Sequence, residues 1–273
     1  MSSAAAHLPL PAESQKTHLP TINLLCRFET SSQAFQDAVE KYFPNLYEAT
    51  NITIHNCSLA RLPTEVQFDA IVSPANSYGF MDGAFDDAIS IALSPNPREG
   101  YGWTTKKVQT TLYQKWRGYA PPGSCTLVDV RKDSTWHEIK RAEQNSKPIG
   151  EAPEESGEHK WGCKYIALCP TMRVPREVKW DREVIFECIW SLLCALDVHN
   201  REVHDPELQI KSILMTPLAT GIGKVSEAKW AAQCVMAMKY WVEAVKNPHK
   251  WSNLQWEDVY NDSSEILDST GNL

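Results

Sequence analysis

The chain has 273 residues, of which 42% are apolar and 22% charged, an ordinary composition for a globular protein. Its formal net charge of −7 argues against a broad surface for duplex nucleic acid, because such surfaces are rich in Lys and Arg. No apolar run approaches the roughly 20 residues that a membrane-spanning helix needs, so no membrane association is expected.

Cysteine usage predicts an intracellular protein with reduced thiols. No Cys-x-x-Cys pair occurs, and no Cys/His spacing fits a zinc site. No secretory leader is apparent, so we expect a cytoplasmic or nuclear location. The even number of cysteines leaves disulfides open as an alternative. Most of the eight cysteines lie inside apolar runs, at positions 26, 57, 125, 163, 169, 188, 194 and 234.

Apolar runs and helical spacing predict alternating strands and helices. Residues 1–20, rich in Ala, Ser and Pro, are expected to be disordered. In chain order after them, we predict a strand at 22–28, a helix from Ser31 or Ser32 to Phe43, strands at 52–55 and 68–73, helices at 84–93 and 104–119, strands at 124–130 and 164–169, a helix at 180–196, a strand at 210–215 and a helix at 225–245.

The predicted strands are mostly continuous apolar runs separated by helices. This pattern is typical of a mixed, mostly parallel sheet covered on both faces, in a three-layer α/β/α arrangement. We predict one such domain over residues 21–247, with a solvated insertion loop at 138–160 that is rich in Glu, Lys, Pro, Ser and Gly. A polar tail follows over 248–273, in which Trp251 and Trp256 are candidates for docking on the domain.

The most informative segment is 68–91, FDAIVSPANSYGFMDGAFDDAISI, which predicts a strand, a polar loop and a helix. In an open α/β sheet, ligands bind at the carboxyl ends of strands, and helix N-termini attract phosphate. The loop and the start of the helix carry an amide and carboxylates at Asn76, Asp82 and Asp86. An alternative is an ordinary helix N-terminus capped by Asp82.

A second loop, MTPLATGIGKVS at 215–226, also follows a buried strand and precedes a helix. Its glycines, Gly221 and Gly223, allow the backbone to approach a ligand closely, and Thr220 adds a hydroxyl. An ordinary strand–helix turn is the alternative. The spacing is not that of a Walker A loop, and no G-x-G-x-x-G fingerprint occurs in the chain.

A third segment, CPTMRVP at 169–175, makes Arg173 a candidate phosphate contact, with a solvent-exposed side chain as the alternative. The two glycine-bearing loops together predict the two walls of a cleft for a diphosphate.

These residues resemble the macro domain family. The run DAIVSPAN followed by an eroded glycine-rich stretch is similar to the family's DAIVNAAN signature, and Asn76 and Asp86 have the family's ten-residue separation. PLATGIG resembles the family's later phosphate loop, and CPTMRVP resembles a segment of a macro-like subgroup. The resemblance covers residues 22–246 in element order and implies a macro-domain-like fold that binds ADP-ribose or an ADP-ribosylated substrate, without a cofactor or metal.

The resemblance also implies roles for particular residues. Asn76 would hydrogen-bond the distal ribose, and Asp86 would lie beside that sugar, where hydrolytic members have a catalytic Asp. Backbone groups of Gly83, Ala84 and the segment 220–223 would hold the diphosphate, while Phe85 would line the pocket. The full set of ligand-binding candidates is Asn76, Ser77, Tyr78, Gly79, Asp82, Gly83, Ala84, Phe85, Thr220, Gly221, Ile222, Gly223 and Arg173.

The chain departs from the family's pattern in two places. The glycine-rich run is reduced to GFMDGA at 79–84, where Asp82 brings a second carboxylate near the expected diphosphate. The early Gly-Asp-Ile, whose Asp binds adenine in the family, is replaced here by Asn56-Cys57-Ser58.

Several functions follow from the resemblance. The chain is expected to hydrolyse a bond at the distal ribose, as an ADP-ribosyl hydrolase or an ADP-ribose 1″-phosphate phosphatase. The alternatives are a non-catalytic module that binds ADP-ribose and a pocket adapted to another nucleotide or phosphorylated metabolite.

Overall fold

The computed structural model describes residues 19–95, 101–133, 136–139, 159–178 and 180–270. Nearly all of the segment 1–20 and most of the insertion at 138–160 lie outside the described residues.

Six strands form one sheet in the order β2-β1-β6-β3-β5-β4. All neighbours are parallel except β4 and β5, which are antiparallel. This confirms the prediction of a mixed, mostly parallel sheet. The strands are β1 (Thr21–Leu25), β2 (Ile52–His55), β3 (Ala70–Ser73), β4 (Thr126–Asp129), β5 (Tyr165–Leu168) and β6 (Ser212–Met215).

Helices cover both faces of the sheet, which confirms the three-layer prediction. One core cluster joins α1, α5 and α6 to one face, and a second joins α3 and α4 to the other. The helices are α1 (Glu29–Tyr42), α2 (Leu46–Ala49), α3 (Ala84–Leu93), α4 (Gly102–Trp116), α5 (Val184–Glu202), α6 (Glu227–Lys246), α7 (Pro248–Trp251) and α8 (Trp256–Thr270). No helix in these described ranges is long and apolar enough to cross a bilayer.

Two helical predictions need correction. The helix expected at 180–196 instead runs from Val184 to Glu202. It begins later than predicted because Asp181 accepts a hydrogen bond from the N–H of Glu183 (2.9 Å) and holds a turn ahead of the helix. The region treated as a polar tail contains helices α7 and α8.

The two tryptophans of that region behave differently. Trp251 stacks on Trp190 of α5 with a ring-centroid distance of 5.5 Å. Trp256 is instead 73% exposed. Glu265 fastens α8 to α6 through Lys239 (2.7 Å) and the hydroxyl of Tyr240 (2.6 Å).

The position of β6 determines where the loops meet. It pairs with β1 on one side and β3 on the other, both in parallel. Since the carboxyl ends of parallel strands lie at one edge of a sheet, the loops after β1, β6 and β3 are neighbours there.

Gly79 in the loop after β3 is required for packing. Its φ is +69°, and a Cβ added there would lie 2.5 Å from Cγ1 of Val108 and 2.9 Å from Cδ1 of Leu112, both on α4. We predict that Gly79→Ala lowers the free energy of unfolding more than Gly118→Ala does, and that the difference between the two losses is about 1–3 kcal/mol. Gly118 has a φ of +93° with open space around it, so its variant reports the backbone strain alone. Urea unfolding of both variants measures the difference, and equal losses would contradict the packing role.

Candidate functional site

A cleft of about 430 Å³ lies at the carboxyl edge of the sheet. It is lined by the loops that follow β1, β2, β3, β5 and β6, and by the start of α3 and α6. The segments 82–86 and 220–223, which the sequence predicted to be the two walls, both line this one cleft. Its length follows from the strand order: β2 and β5, the outermost strands whose loops line it, are four strand spacings apart, or about 19 Å.

The first wall is shaped by Asn76. Its side-chain oxygen accepts hydrogen bonds from the N–H groups of Tyr78 (3.1 Å) and Phe80 (3.3 Å), and its Nδ2 donates to the carbonyl of Phe80 (2.8 Å). Asn76 lines the cleft. The amide predicted to contact a ribose therefore fixes the conformation of its own loop.

Helix α3 opens into the cleft without a side-chain cap. Gly83 is the N-cap residue, and no side chain of the described residues accepts a capping hydrogen bond, so the alternative in which Asp82 caps the helix is wrong. Ala84 follows with a φ of +48°, a left-handed conformation that costs a non-glycine residue roughly 1–2 kcal/mol. Within the described chain, no group accepts a hydrogen bond from the N–H of Gly83, Ala84 or Phe85.

The second wall, residues 217–225, is a tight turn. The N–H of Val225 donates to the carbonyl of Ala219 (3.2 Å), and Ala219 and Lys224 both have left-handed φ angles of 58° and 57°. The N–H groups of Gly221, Ile222 and Gly223 also find no acceptor among the residues that the structure describes. Strained, non-glycine backbone is thus present on both walls, as is common at functional sites.

Asp86 is the buried carboxyl of the cleft. It is 7% exposed, and the hydroxyl of Ser73 donates to it at 2.6 Å. Burial raises the pKa of Asp86 to about 7; the nearby charge of Asp82 also raises it, while the Ser73 hydrogen bond opposes both. A carboxyl that titrates near neutrality can accept or donate a proton, as general acid–base catalysis requires.

Four of the predicted site residues do not line the cleft: Ser77, Tyr78, Gly79 and Arg173. Ser77 is buried, and its N–H and hydroxyl both bond to the carbonyl of Met172. Arg173, the candidate phosphate contact, is exposed; its Nε donates to the hydroxyl of Tyr78 (3.0 Å). Its guanidinium also lies 5.6 Å from the ring of Tyr119.

The remaining predicted residues line the cleft together: Asn76, Asp82, Gly83, Ala84, Phe85, Asp86, Thr220, Gly221, Ile222 and Gly223.

One end of the cleft, next to β1 and β2, is formed by residues that the sequence did not suggest. Arg27 and Phe28 line it after β1, and Cys57 and Ser58 line it after β2. The strand-end rule would have found Cys57 and Ser58, which follow the strand predicted at 52–55, but not Arg27 and Phe28, which the prediction placed inside a strand. Cys57, at the position of the family's early Asp, lines the cleft, and the neighbouring Asn56 accepts a hydrogen bond from Ser32 Oγ at 3.0 Å.

No protein-family model matches the chain. The chain is similar to solved structures of a macrodomain from Oceanobacillus iheyensis. The structure with ADP has 15% identity and a TM-score of 0.40, and the match covers 64% of this chain and 70% of that one. The structure with MES bound has 15% identity and a TM-score of 0.42, covering 66% and 73%. A mutant with ADPR has 16% identity and a TM-score of 0.39, covering 64% and 72%. A likeness at this level leaves the ligand of the cleft open.

The burial of Asp86 predicts a pH-dependent stability. Its pKa is about 7 in the folded protein and 3.8 when exposed, so the folded state holds the proton more tightly and loses stability as pH rises from 4 to 7. Asp86→Asn removes this loss. As pH rises from 5 to 8, the unfolding free energy of the variant should therefore increase by about 2–3 kcal/mol relative to that of the wild type. Urea unfolding at both values measures it.

Asp87→Asn is the matched control, because it removes the neighbouring carboxylate from the same helical turn. An Asp86→Asn effect that does not change with pH would contradict the burial of an ionisable Asp86.

Proposed function

We propose that this chain binds ADP-ribose or an ADP-ribosyl group in the cleft. The observation that carries the proposal is the pair of backbone segments, 83–85 and 221–223, whose N–H groups line one cleft without acceptors in the described structure. Three N–H groups on each wall, one set at the N-terminus of a ten-residue helix, suit the oxygens of a diphosphate. The macro-like signature of both loops points to the same ligand.

The cleft's shape supports an elongated ligand with a central anion. The two N–H segments follow β3 and β6, which are adjacent in the sheet, so they lie opposite one another. Asp86 is on the β3 side, which suits the distal ribose, and the free space towards β1 and β2 is left for the nucleoside.

Hydrolysis at the distal ribose is the reaction that the site supports best. Cleavage at an anomeric carbon develops positive charge on the sugar, and a carboxylate beside it stabilises that charge and accepts a proton from the attacking water. Asp86 has the required pKa, and Ser73 holds its orientation. A phosphatase acting on ADP-ribose 1″-phosphate would use the same pocket.

One observation favours a non-catalytic module instead. The side-chain oxygen of Asn76 bonds to two N–H groups of its own loop, and its Nδ2 already donates to a carbonyl there. Asn76 is then less available to order a ribose for attack. Under this alternative, the protein binds ADP-ribose and releases it unchanged.

The proposed diphosphate site predicts that a bulky side chain in the second wall weakens the binding of ADP-ribose. Gly221 has open space where a Cβ would be, and it lines the cleft. We predict that Gly221→Leu folds normally and binds ADP-ribose at least about tenfold more weakly, because the side chain occupies the anion's position. Isothermal titration calorimetry measures this loss.

Gly102→Leu is the control, since Gly102 also has open space but lies outside the cleft. It should bind as the wild type does. Wild-type protein that fails to bind ADP-ribose, or equal losses in both variants, would contradict the proposal.

The acid–base role of Asp86 predicts a separation of binding from turnover. Asp86→Ala should lower the release of ADP-ribose from an ADP-ribosylated protein or from ADP-ribose 1″-phosphate by about 100-fold or more, while the Kd for ADP-ribose changes little. Wild-type turnover should rise from pH 6 to pH 8, as the carboxyl loses its proton. Undiminished turnover in Asp86→Ala removes Asp86 from the chemistry. Tight binding without turnover of either substrate by the wild type favours the non-catalytic module.

A further inference from the structure

A basic and aromatic face lies on helix α4, next to the cleft. The sequence from 100 to 128 contains four Lys and Arg residues and no Asp or Glu, although the whole chain has a net charge of −7. Lys107 pairs with Asp133. The other three cations of this stretch, Lys106, Lys115 and Arg117, are exposed and form no ion pair within the described chain.

Aromatic rings accompany these cations. Tyr113 is 62% exposed, Phe80 48% and Tyr101 44%, although large rings are usually buried when they serve only the fold. The three rings line one groove of about 540 Å³, together with Lys106 and Gln114. The groove is shallow and open, as a binding surface for a flexible chain would be.

The helical repeat brings the two kinds of side chain together. Lys106 and Tyr113 are seven residues apart, which places them on one side of the helix, whereas Lys115 is on the opposite side. Arg117 follows the helix as its left-handed C-cap residue and turns back to Tyr113. The guanidinium of Arg117 lies 5.6 Å from the ring centroid of Tyr113. Outside α4, the guanidinium of Arg173 lies 5.9 Å from the ring centroid of Tyr78. The face therefore alternates flat rings with positive charges.

We propose that this face of α4 binds single-stranded nucleic acid. Exposed rings offer stacking surfaces to unpaired bases, and the neighbouring cations neutralise phosphates, which is the combination that single-strand binders use. A duplex hides its base faces, so it would use only the cations. An acidic peptide could pair with the cations, but it has no bases to stack on the three exposed rings.

The face continues to the cleft through Phe80. This residue lines both the groove on α4 and the cleft between the two loops. A strand bound along α4 would thus have one end at the mouth of the cleft. Nucleic-acid binding by this face does not depend on ADP-ribose binding, since Lys106, Tyr101 and Tyr113 lie outside the cleft and only Phe80 is shared with it.

The test is fluorescence anisotropy of labelled ten-nucleotide dT and rU strands with the full chain. We expect binding that weakens steeply as salt rises, because phosphate contacts release counterions. Tyr113→Ala should bind about tenfold more weakly through lost stacking. The double variant Lys106→Gln/Arg117→Gln removes the two cations next to Tyr113, so it should bind more weakly and show a smaller salt dependence.

Matched controls come from surfaces elsewhere. Tyr260→Ala removes a ring that is 67% exposed on α8. Lys211→Gln/Lys246→Gln removes two exposed lysines that do not belong to the segment 100–128. Both should bind as the wild type does. ADP-ribose binding should be unchanged in every variant, which separates this inference from the function of the cleft.

Four results would overturn the proposal: no binding of either strand at low salt, equal losses in the controls, equal affinity for a duplex of the same length, or undiminished binding by Tyr113→Ala. Displacement of the strand by poly-glutamate at equal charge concentration would identify a site for acidic polymers instead.

Discussion

Parallel pairing of β6 between β1 and β3 is the constraint on which the candidate site depends. Leu214 lies opposite Asn23 on one side and Ile71 on the other. Because these strands run in the same direction, the turn after β6 and the loop after β3 leave the sheet at the same edge. Two segments that are more than 130 residues apart in sequence thereby become the walls of one cleft, with backbone N–H groups on each.

The cleft is lined both by backbone N–H donors, which attract an anion, and by carboxylates, which repel it. Arg27 is the only cationic side chain among the described residues that line it, whereas three acidic residues, Asp82, Asp86 and Glu227, are present. An anion there must be held chiefly by N–H groups, which carry no net charge and whose arrangement is fixed by strained turns. Burial keeps Asp86 partly protonated at neutral pH, which lessens the repulsion of a bound phosphate.

The sequence was sufficient to predict the six strands, the helices α1, α3, α4, α5 and α6 and both walls, because buried strands are apolar runs and glycine-bearing loops follow them. Side-chain directions depend on tertiary contacts that no local pattern contains. Asn76 bonds to its own loop, and Arg173 turns outward to Tyr78, for that reason. The part of the cleft formed by Arg27 and Phe28 was missed because those residues were assigned to a strand that ends earlier, at Leu25.

The central claim is that main-chain amides of both loops hold a diphosphate. A titration of ¹⁵N-labelled protein with ADP, followed in ¹H–¹⁵N correlation spectra, tests it most directly. The account predicts that the amide signals of residues 83–85 and 221–223 shift together with ADP and remain unmoved by adenosine. Shifts confined to one loop, or equal shifts with adenosine, would contradict it.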